Sequence, residues 1–179
     1  MRNKSGFTML ETLIAVTIMA IIMGMGIPYI MGWLPNYRLR NAARDIHSNL
    51  QLARITAVKE RVNCTVTFTP GTGLVTGYQI YLDPNDNRQM DGTETLIKTV
   101  AINIDGNFDN DAYEDDVRFS PSEGGGDGVA LAASDDRSVT FSSNGMLSGV
   151  YNGTVFLTNS NGTKKRVVVN NAGRIQIRD

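Results

Sequence analysis

A stretch of twelve residues, 83–94, carries oxygen-bearing side chains at the spacing of a calcium-binding loop. Ligands for positions 1, 3, 5, 7, 9 and 12 of such a loop are Asp83, Asn85, Asn87, Gln89 (through its main-chain carbonyl), Asp91 and Glu94. Ca²⁺ prefers such hard oxygen ligands, so the spacing makes this segment a candidate calcium site. Two features oppose it: Arg88 stands at position 6, where the sharp turn requires glycine, and strands rather than helices flank the loop. The alternative is an Asx-rich polar turn between strands.

A second group of residues could bind an anion. The C-terminal part of the chain carries five basic side chains, Lys164, Lys165, Arg166, Arg174 and Arg178. A basic strand can contact the phosphates of DNA. No aromatic residue is interleaved with these residues for base stacking. The alternative is an ordinary solvated strand face.

The sequence contains no recognisable group of catalytic residues. The single histidine, His47, is close in sequence to Asp45 and Ser48, but residues one and two apart on a helix do not face each other. The single cysteine, Cys64, excludes an internal disulfide, and its apolar, alternating surroundings predict a buried thiol. No Cys/His cluster suggests zinc. The sequence therefore predicts a protein that is not an enzyme, and calcium is the one cofactor it suggests.

The first part of the chain is a basic leader followed by a long apolar run. Arg2 and Lys4 precede residues 7–31, which are long enough to cross a bilayer, since roughly 20 residues suffice. The basic residues would stay in the cytoplasm, and the C-terminal part would be exported. Glu11 is the one charge in the run, and a carboxylate there costs about 2.5–3.5 kcal/mol unless it is partnered. Cleavage after Gly6 would create such a partner, the α-amine of Phe7, in the same or a neighbouring copy; alternatively, Glu11 sits at the interface and is tolerated.

This N-terminal motif resembles a known signal. Gly6-Phe7-Thr8-Met9-Leu10-Glu11 is similar to the class III signal of type IV pilins and type II secretion pseudopilins. The resemblance implies that prepilin peptidase cuts after Gly6 and methylates Phe7. It also implies that Glu11 pairs with the N-terminal amine of an adjacent subunit during filament assembly, and Pro28 matches the proline that kinks the helix in this family. The implied partners are other pilins or pseudopilins, the prepilin peptidase, the inner-membrane assembly platform and membrane lipid.

The resemblance extends over nearly the full chain. Residues 78–83 (Tyr-Gln-Ile-Tyr-Leu-Asp), residues 143–145 (Ser-Asn-Gly) and a closing hairpin that ends at Gly173-Arg174 resemble minor pseudopilin H and the FimT-type minor pilins. Some FimT-type pilins bind DNA through a Gly-Arg-x-Arg element. Here Gln176 replaces the second arginine, and Arg178 follows two residues later on the same strand face. The resemblance thus implies a minor pseudopilin or minor pilin, with a DNA-binding minor pilin of a DNA-uptake pilus as the alternative.

The elements that position these residues follow from periodicity. In residues 36–61 the apolar positions recur at spacings of three and four, which predicts an amphipathic helix; they are Leu39, Ala42, Ala43, Ile46, Leu50, Ala53 and Ala57. Its basic residues, Arg38, Arg44, Arg54 and Lys59, form either a solvated face or a surface for neighbouring subunits or anionic lipid headgroups.

From Val62 onward the period changes to two, and turn signals separate the segments. Strands are predicted at residues 62–68, 78–82, 96–102, 117–119, 139–141, 154–158, 166–170 and 174–177, and Asn161-Gly162 predicts a hairpin. The predicted fold is α+β, a long N-terminal helix packed on antiparallel β-sheet, in two small sheets.

The predicted organisation has three parts: a leader at 1–6, a hydrophobic transmembrane and assembly helix at 7–35, and a periplasmic globular domain at 36–179. The predicted localisation is the bacterial inner membrane, with a single pass, and then a pilus or pseudopilus. The net charge of −1 hides an asymmetry, since residues 83–136 hold 14 acidic and three basic side chains. The total charge therefore gives no general nucleic-acid signal.

Overall fold

The computed structural model describes residues 7–70, 75–92, 94–101, 117–120, 129–131, 137–149 and 152–179, apart from the side chains of 26–31 and 70. The chain divides into two compact units, Met1–Leu34 and Pro35–Asp179. The predicted boundaries of the leader, the membrane helix and the periplasmic domain stay predictions.

Helix α1 spans Met9–Glu60. It begins after Thr8, whose hydroxyl accepts a hydrogen bond from the main-chain N–H of Glu11 at 3.3 Å, as an N-cap residue does. It ends at Glu60, and the next residue, Arg61, adopts a left-handed φ of 57°. Lys59 lies in the last turn, where a cation interacts favourably with the exposed carbonyl end of the helix.

Within the described residues, nine strands form two antiparallel sheets. Sheet A contains β1 (Cys64–Pro70), β2 (Val75–Leu82), β3 (Leu96–Ala101) and β6 (Ser138–Phe141), in the order β3-β2-β1-β6. Sheet B contains β4 (Val117–Phe119), β7 (Gly153–Asn159), β8 (Lys164–Val169) and β9 (Ile175–Arg178) in that order, and β5 (Val129–Leu131) also pairs with β7. The prediction missed β5, although it included the equally short β4. Ile102, the last residue of one predicted strand, lies outside the described residues.

One core joins the globular part of α1 to both sheets. The seven apolar helix positions that the spacing predicted are all buried in it. Phe68 of sheet A packs edge-on against Phe119 of sheet B, with ring centroids 5.9 Å apart, and tilted against Tyr78 at 5.5 Å. The predicted α+β fold is therefore confirmed.

Polar contacts also fix the helix to each sheet. Asn49 donates to the hydroxyl of Tyr78 and accepts from Lys98 Nζ at 2.9 Å, both in sheet A. Asn36 accepts a hydrogen bond from Asn159 of sheet B at 2.8 Å. Hydrogen bonds as well as apolar packing therefore attach the helix to both sheets.

The thiol of Cys64 makes the stability of the folded chain sensitive to high pH. Burial, followed by the nearby Asp83 carboxylate, raises the pKa of Cys64 from 9.0 to about 12. In that interval the unfolded chain has lost the thiol proton and the folded chain has kept it, so rising pH favours unfolding. Between pH 9.0 and about 12, we expect ionisation of this thiol to lower the free energy of unfolding by about 1.4 kcal/mol per pH unit. Denaturant titrations at several pH values check it. Cys64→Ala should show a smaller fall, and equal slopes in the two proteins would contradict the assignment.

Candidate functional site

The N-terminal assembly residues lie at the start of α1. Gly6 is outside the described residues, Phe7 and Thr8 precede the helix, Glu11 is in its first turn and Pro28 lies within it. The roles of these residues in processing and assembly stay predictions.

Glu11 also has a local role that the sequence interpretation missed. Thr8 and Glu11 have the Thr-x-x-Glu spacing of a capping box, and the Glu11 N–H bonds to the Thr8 hydroxyl. An acidic residue in the first turn also interacts favourably with the positive end of the helix. The signal was present in the sequence. It follows that substitution of Glu11 changes helix capping as well as charge, so a test of its role in assembly must separate the two.

Across the parts of the chain that the structure describes, we find no helix whose length and apolar character suffice for a membrane crossing.

Asp83, at the first position of the predicted calcium loop, is buried and points into the protein. Its Oδ1 accepts from the N–H of Asn87 at 3.1 Å, and its Oδ2 accepts from the N–H of Arg88 at 3.0 Å and from the Thr65 hydroxyl at 2.9 Å. Because the Thr65 proton goes to Asp83, the Thr140 hydroxyl must donate to Thr65, 2.8 Å away. Asp83 thus joins the loop to two strands of sheet A.

The rest of this loop is organised by Asx turns. The N–H of Asn87 bonds to Asn85 Oδ1 at 3.1 Å, and the N–H of Gln89 bonds to Asn87 Oδ1 at 2.8 Å. Asn85 Nδ2 donates to Asp91 at 3.2 Å. These hydrogen bonds are those of the polar turn that was the alternative to a calcium site.

Three of the predicted calcium ligands nevertheless lie close together. Burial raises the pKa of the half-buried Glu94 above its ordinary value, and the carboxylates of Asp83 and Asp91 add to that rise. Within the described residues, no three His, Cys, Asp or Glu side chains are arranged to hold a metal ion. The calcium site therefore stays a prediction.

Arg88, at the position where a calcium loop requires glycine, adopts a left-handed φ of 59°. Its guanidinium donates to the carbonyl of Ser148 at 3.2 Å, and the Ser148 hydroxyl donates to Asp86 at 3.2 Å. These contacts hold the loop against the turn that follows β6 and oppose the backbone strain of a non-glycine residue there.

The basic residues near the C-terminus separate into two groups. In the β7-β8-β9 register, Arg166 is opposite both Phe156 and Arg178, and Lys164 lies two residues before Arg166 on the same face. Arg174 precedes β9 at the other end of that strand, about 13 Å from Arg178 by strand rise. The structure thus brings Lys164, Arg166 and Arg178 together and leaves Arg174 apart.

Lys165 and Asp179 lie beside the group formed by Lys164, Arg166 and Arg178. Lys165 forms an ion pair with Asp179, and Arg166 donates to the main-chain carbonyl of Asp179 at 3.1 Å. An open depression of about 230 Å³ is lined by Phe156, Lys164, Lys165, Arg166 and Asp179.

Phe156 supplies an aromatic ring that the basic C-terminal segment itself lacks. No aromatic residue interleaves with the basic residues along the chain, but the neighbouring strand places the half-buried Phe156 directly opposite Arg166. An aromatic ring beside guanidiniums is the combination that single-stranded nucleic acid binds. The sequence did not predict this neighbour, because cross-strand register depends on two strands and cannot be inferred from one segment.

Gly173, the first residue of the Gly-Arg element, is required by packing. Its φ is 73°, and a Cβ there would lie under 3.0 Å from the carbonyl oxygen of Gly145. Arg54 of α1 donates to that same carbonyl at 2.9 Å. The close approach of two glycine turns against Arg54 therefore accounts for this glycine.

Comparison with known proteins places this fold in a class. The crystal structure of the type IV minor pilin FimU of Pseudomonas aeruginosa superposes with a TM-score of 0.53 at 18% identity, covering 80% of this chain and 90% of FimU. The minor pseudopilin EpsH of the type 2 secretion system of Vibrio cholerae gives 0.48 at 11% identity, covering 79% and 96%. The likeness to FimU shows that the fold is pilin-like.

Sequence comparison identifies the family. The family model described as type II transport protein GspH matches residues 42–173, and that of the prokaryotic N-terminal methylation motif matches residues 1–27. The pilin-like protein PilA1 of Thermus thermophilus is 27% identical over 177 residues, which cover 98% of this chain and 99% of PilA1. The chain belongs to the GspH family. It is a structural protein of the pilin and pseudopilin class rather than an enzyme, and proteins of this class associate with other pilins in a filament.

Proposed function

We propose that this chain is a minor pseudopilin or minor pilin, a structural subunit of a type II secretion pseudopilus or a type IV pilus. The observation that carries the proposal is the pairing of an N-terminal methylation motif at 1–27 with a GspH match at 42–173 in one chain. The chain is inserted once in the bacterial inner membrane, with its C-terminal domain in the periplasm. Prepilin peptidase cuts after Gly6 and methylates Phe7, and the assembly platform then moves the subunit into the filament.

The role of Glu11 can be tested apart from helix capping. Glutamine at the third helical position also completes a capping box, so Glu11→Gln keeps the cap and removes the charge. We expect Glu11→Gln and Glu11→Ala to impair incorporation equally, because the lost partner of the Phe7 amine is the charge. Incorporation is measured as the amount of subunit in sheared or purified filaments. Normal assembly of Glu11→Gln would show that the carboxylate acts through the helix cap instead.

Processing by prepilin peptidase can be measured separately from assembly. Substitution of Gly6 by leucine should leave the leader attached and Phe7 unmethylated, whereas Ser5→Ala should be processed normally. Mass spectrometry of the N-terminal peptide distinguishes the two, and normal cleavage of the Gly6 variant would contradict the proposal.

The choice between the two filaments depends on the neighbours. A photo-crosslinker at Ile55, an exposed position of α1, should capture adjacent subunits in cells, and one at the exposed Thr99 of β3 serves as the comparison. Recovery of secretion pseudopilins would assign the chain to a secretion pseudopilus, and recovery of pilins would assign it to a type IV pilus. If neither is recovered from either position, the filament proposal fails.

A second candidate function is DNA binding, which the position of Phe156 favours. Arg166 and Arg178 are cross-strand neighbours, and like charges directly opposite one another are unfavourable unless an anion lies between them. We expect detergent-solubilised protein to bind single-stranded DNA in a salt-sensitive manner. Arg166→Ala or Arg178→Ala should each reduce the salt slope by about one, while Arg174→Ala changes it less.

A substitution of Phe156 distinguishes base stacking from ionic contacts. Phe156→Ala should weaken binding of single-stranded DNA with the salt slope unchanged, because stacking is not ionic. Arg61→Gln, an exposed cation outside this face, is the control. Absence of binding at low salt would end this candidate.

A further inference from the structure

One exposed stripe of α1 within the globular unit combines an aromatic ring with two cations. Tyr37, Arg40 and Arg44 are spaced by three and four residues, so they lie on one face of the helix. Tyr37 is 43% exposed, and Arg40 and Arg44 are also exposed. We call these three residues the Tyr–Arg stripe.

The structure separates these two arginines from the other cations of the helix. Arg54 is half-buried and donates to Gly145, Lys59 is paired with Glu60 at 2.8 Å, and Arg38 is half-buried. Arg40 and Arg44 have no ion pair or side-chain hydrogen bond with any residue that the structure describes. The nearby carboxylate, Asp45, is turned about 100° from Arg44 around the helix. Two guanidiniums are thus presented together to an external anion.

We propose that the Tyr–Arg stripe binds the headgroups of anionic phospholipids at the membrane surface, an inference that rests on the proposed membrane insertion of the chain. Tyr37 follows the end of the apolar run by only six residues. Tyrosine rings are enriched at membrane interfaces, because the ring is apolar and the hydroxyl is polar. Guanidiniums bind phosphates through paired hydrogen bonds. Helical side chains tilt toward the N-terminus, so both arginines lean toward the residues nearest the apolar run.

A lipid surface fits this stripe better than a neighbouring protein subunit does. The centres of protein interfaces are depleted in charged residues. The exposed aliphatic side chains of the globular part of the helix, Leu52, Ile55 and Val58, lie about two to six turns further along. We therefore assign the basic end to lipid and leave the aliphatic end as the better surface for a protein.

Trp33, the single tryptophan of the chain, gives a direct measurement, since it precedes Tyr37 by four residues and is 54% exposed. The full chain is reconstituted in mixed phosphatidylethanolamine and phosphatidylglycerol bilayers in which only one of the two lipids is brominated. Bromine quenches tryptophan fluorescence on contact. We expect brominated phosphatidylglycerol to quench more strongly, with a preference of about threefold that decreases with added salt.

The double variant Arg40→Gln/Arg44→Gln should lower this preference to about one, since two cations near the surface account for it. Arg61→Gln, an exposed arginine beyond the end of the helix, should leave the preference unchanged. Equal circular dichroism spectra verify folding of each variant.

Two outcomes would overturn the proposal: equal quenching of the wild type by both brominated lipids, or a preference retained in the double variant. If the double variant retains the preference and loses subunit crosslinks, the stripe is assigned to a protein partner. Absence of quenching by either lipid would instead refute membrane insertion, so that failure of the proposed function is distinguished from failure of lipid binding.

Discussion

Gly173→Ala should destabilise the globular unit by about 3 kcal/mol or more, because left-handed strain and a steric clash act together. The new methyl group would displace the Gly145 carbonyl and so break its hydrogen bond from Arg54. The main-chain bond from Leu147 to Asn171, at 3.1 Å, joins the same two turns and would be strained as well. Denaturant unfolding gives the free energy, and the loss should be accompanied by exposure of the turn at Gly145 to hydrogen exchange.

The chain offers a matched control for this variant. Gly162, in the β7–β8 hairpin, has the same φ of 73°, but a Cβ there meets no atom within 4 Å. Gly162→Ala therefore measures the backbone strain alone, which we expect to cost about 1 kcal/mol. The difference between the two variants is the cost of the close approach to Gly145. Equal losses would mean that the two turns separate without cost.

Asp83→Asn should lower the free energy of unfolding by about 2 kcal/mol, and Asp83→Ala should lower it by about 3–5 kcal/mol. Both carboxylate oxygens of Asp83 accept from N–H groups, so an asparagine in either orientation places its NH₂ group against a main-chain donor. Alanine leaves those two main-chain donors without their acceptor at a buried position. Urea titration of each variant measures the losses.

Asp86→Asn is the control for the Asp83 variants. Asp86 is in the same loop but exposed, and its φ of 54° suits asparagine well. We expect a change within about 0.5 kcal/mol. A loss as large as that of Asp83→Asn would show that loop charge, rather than buried hydrogen bonding, sets the effect.

The same variants decide between the calcium site and the polar turn. If the loop is held by its own hydrogen bonds, Ca²⁺ and a chelator leave the melting temperature unchanged, and Asp83→Asn is equally destabilising with either. If the loop binds calcium, Ca²⁺ raises the melting temperature of the wild type and the Asp83→Asn variant loses that increase.

Local pattern predicted most of the fold. Residues 36–61 predict a helix because seven apolar positions repeat at the helical period, and all seven are buried in the structure. Asn161-Gly162 predicted a hairpin because only certain residues accept the left-handed conformation that Gly162 adopts. The short strand β5 carried no comparable signal.

The sequence by itself determined the family and the helix-on-sheet architecture, because each depends on residues close together in the chain. It also predicts the assembly residues at the N-terminus. Only the tertiary structure decided what the functional candidates touch. It directed Asp83 inward to Thr65, placed Phe156 opposite Arg166, and separated Arg174 from Arg178. Each of these depends on cross-strand register or on contacts between distant segments. Such contacts are decided by how the whole core packs, and no short segment of sequence contains that information.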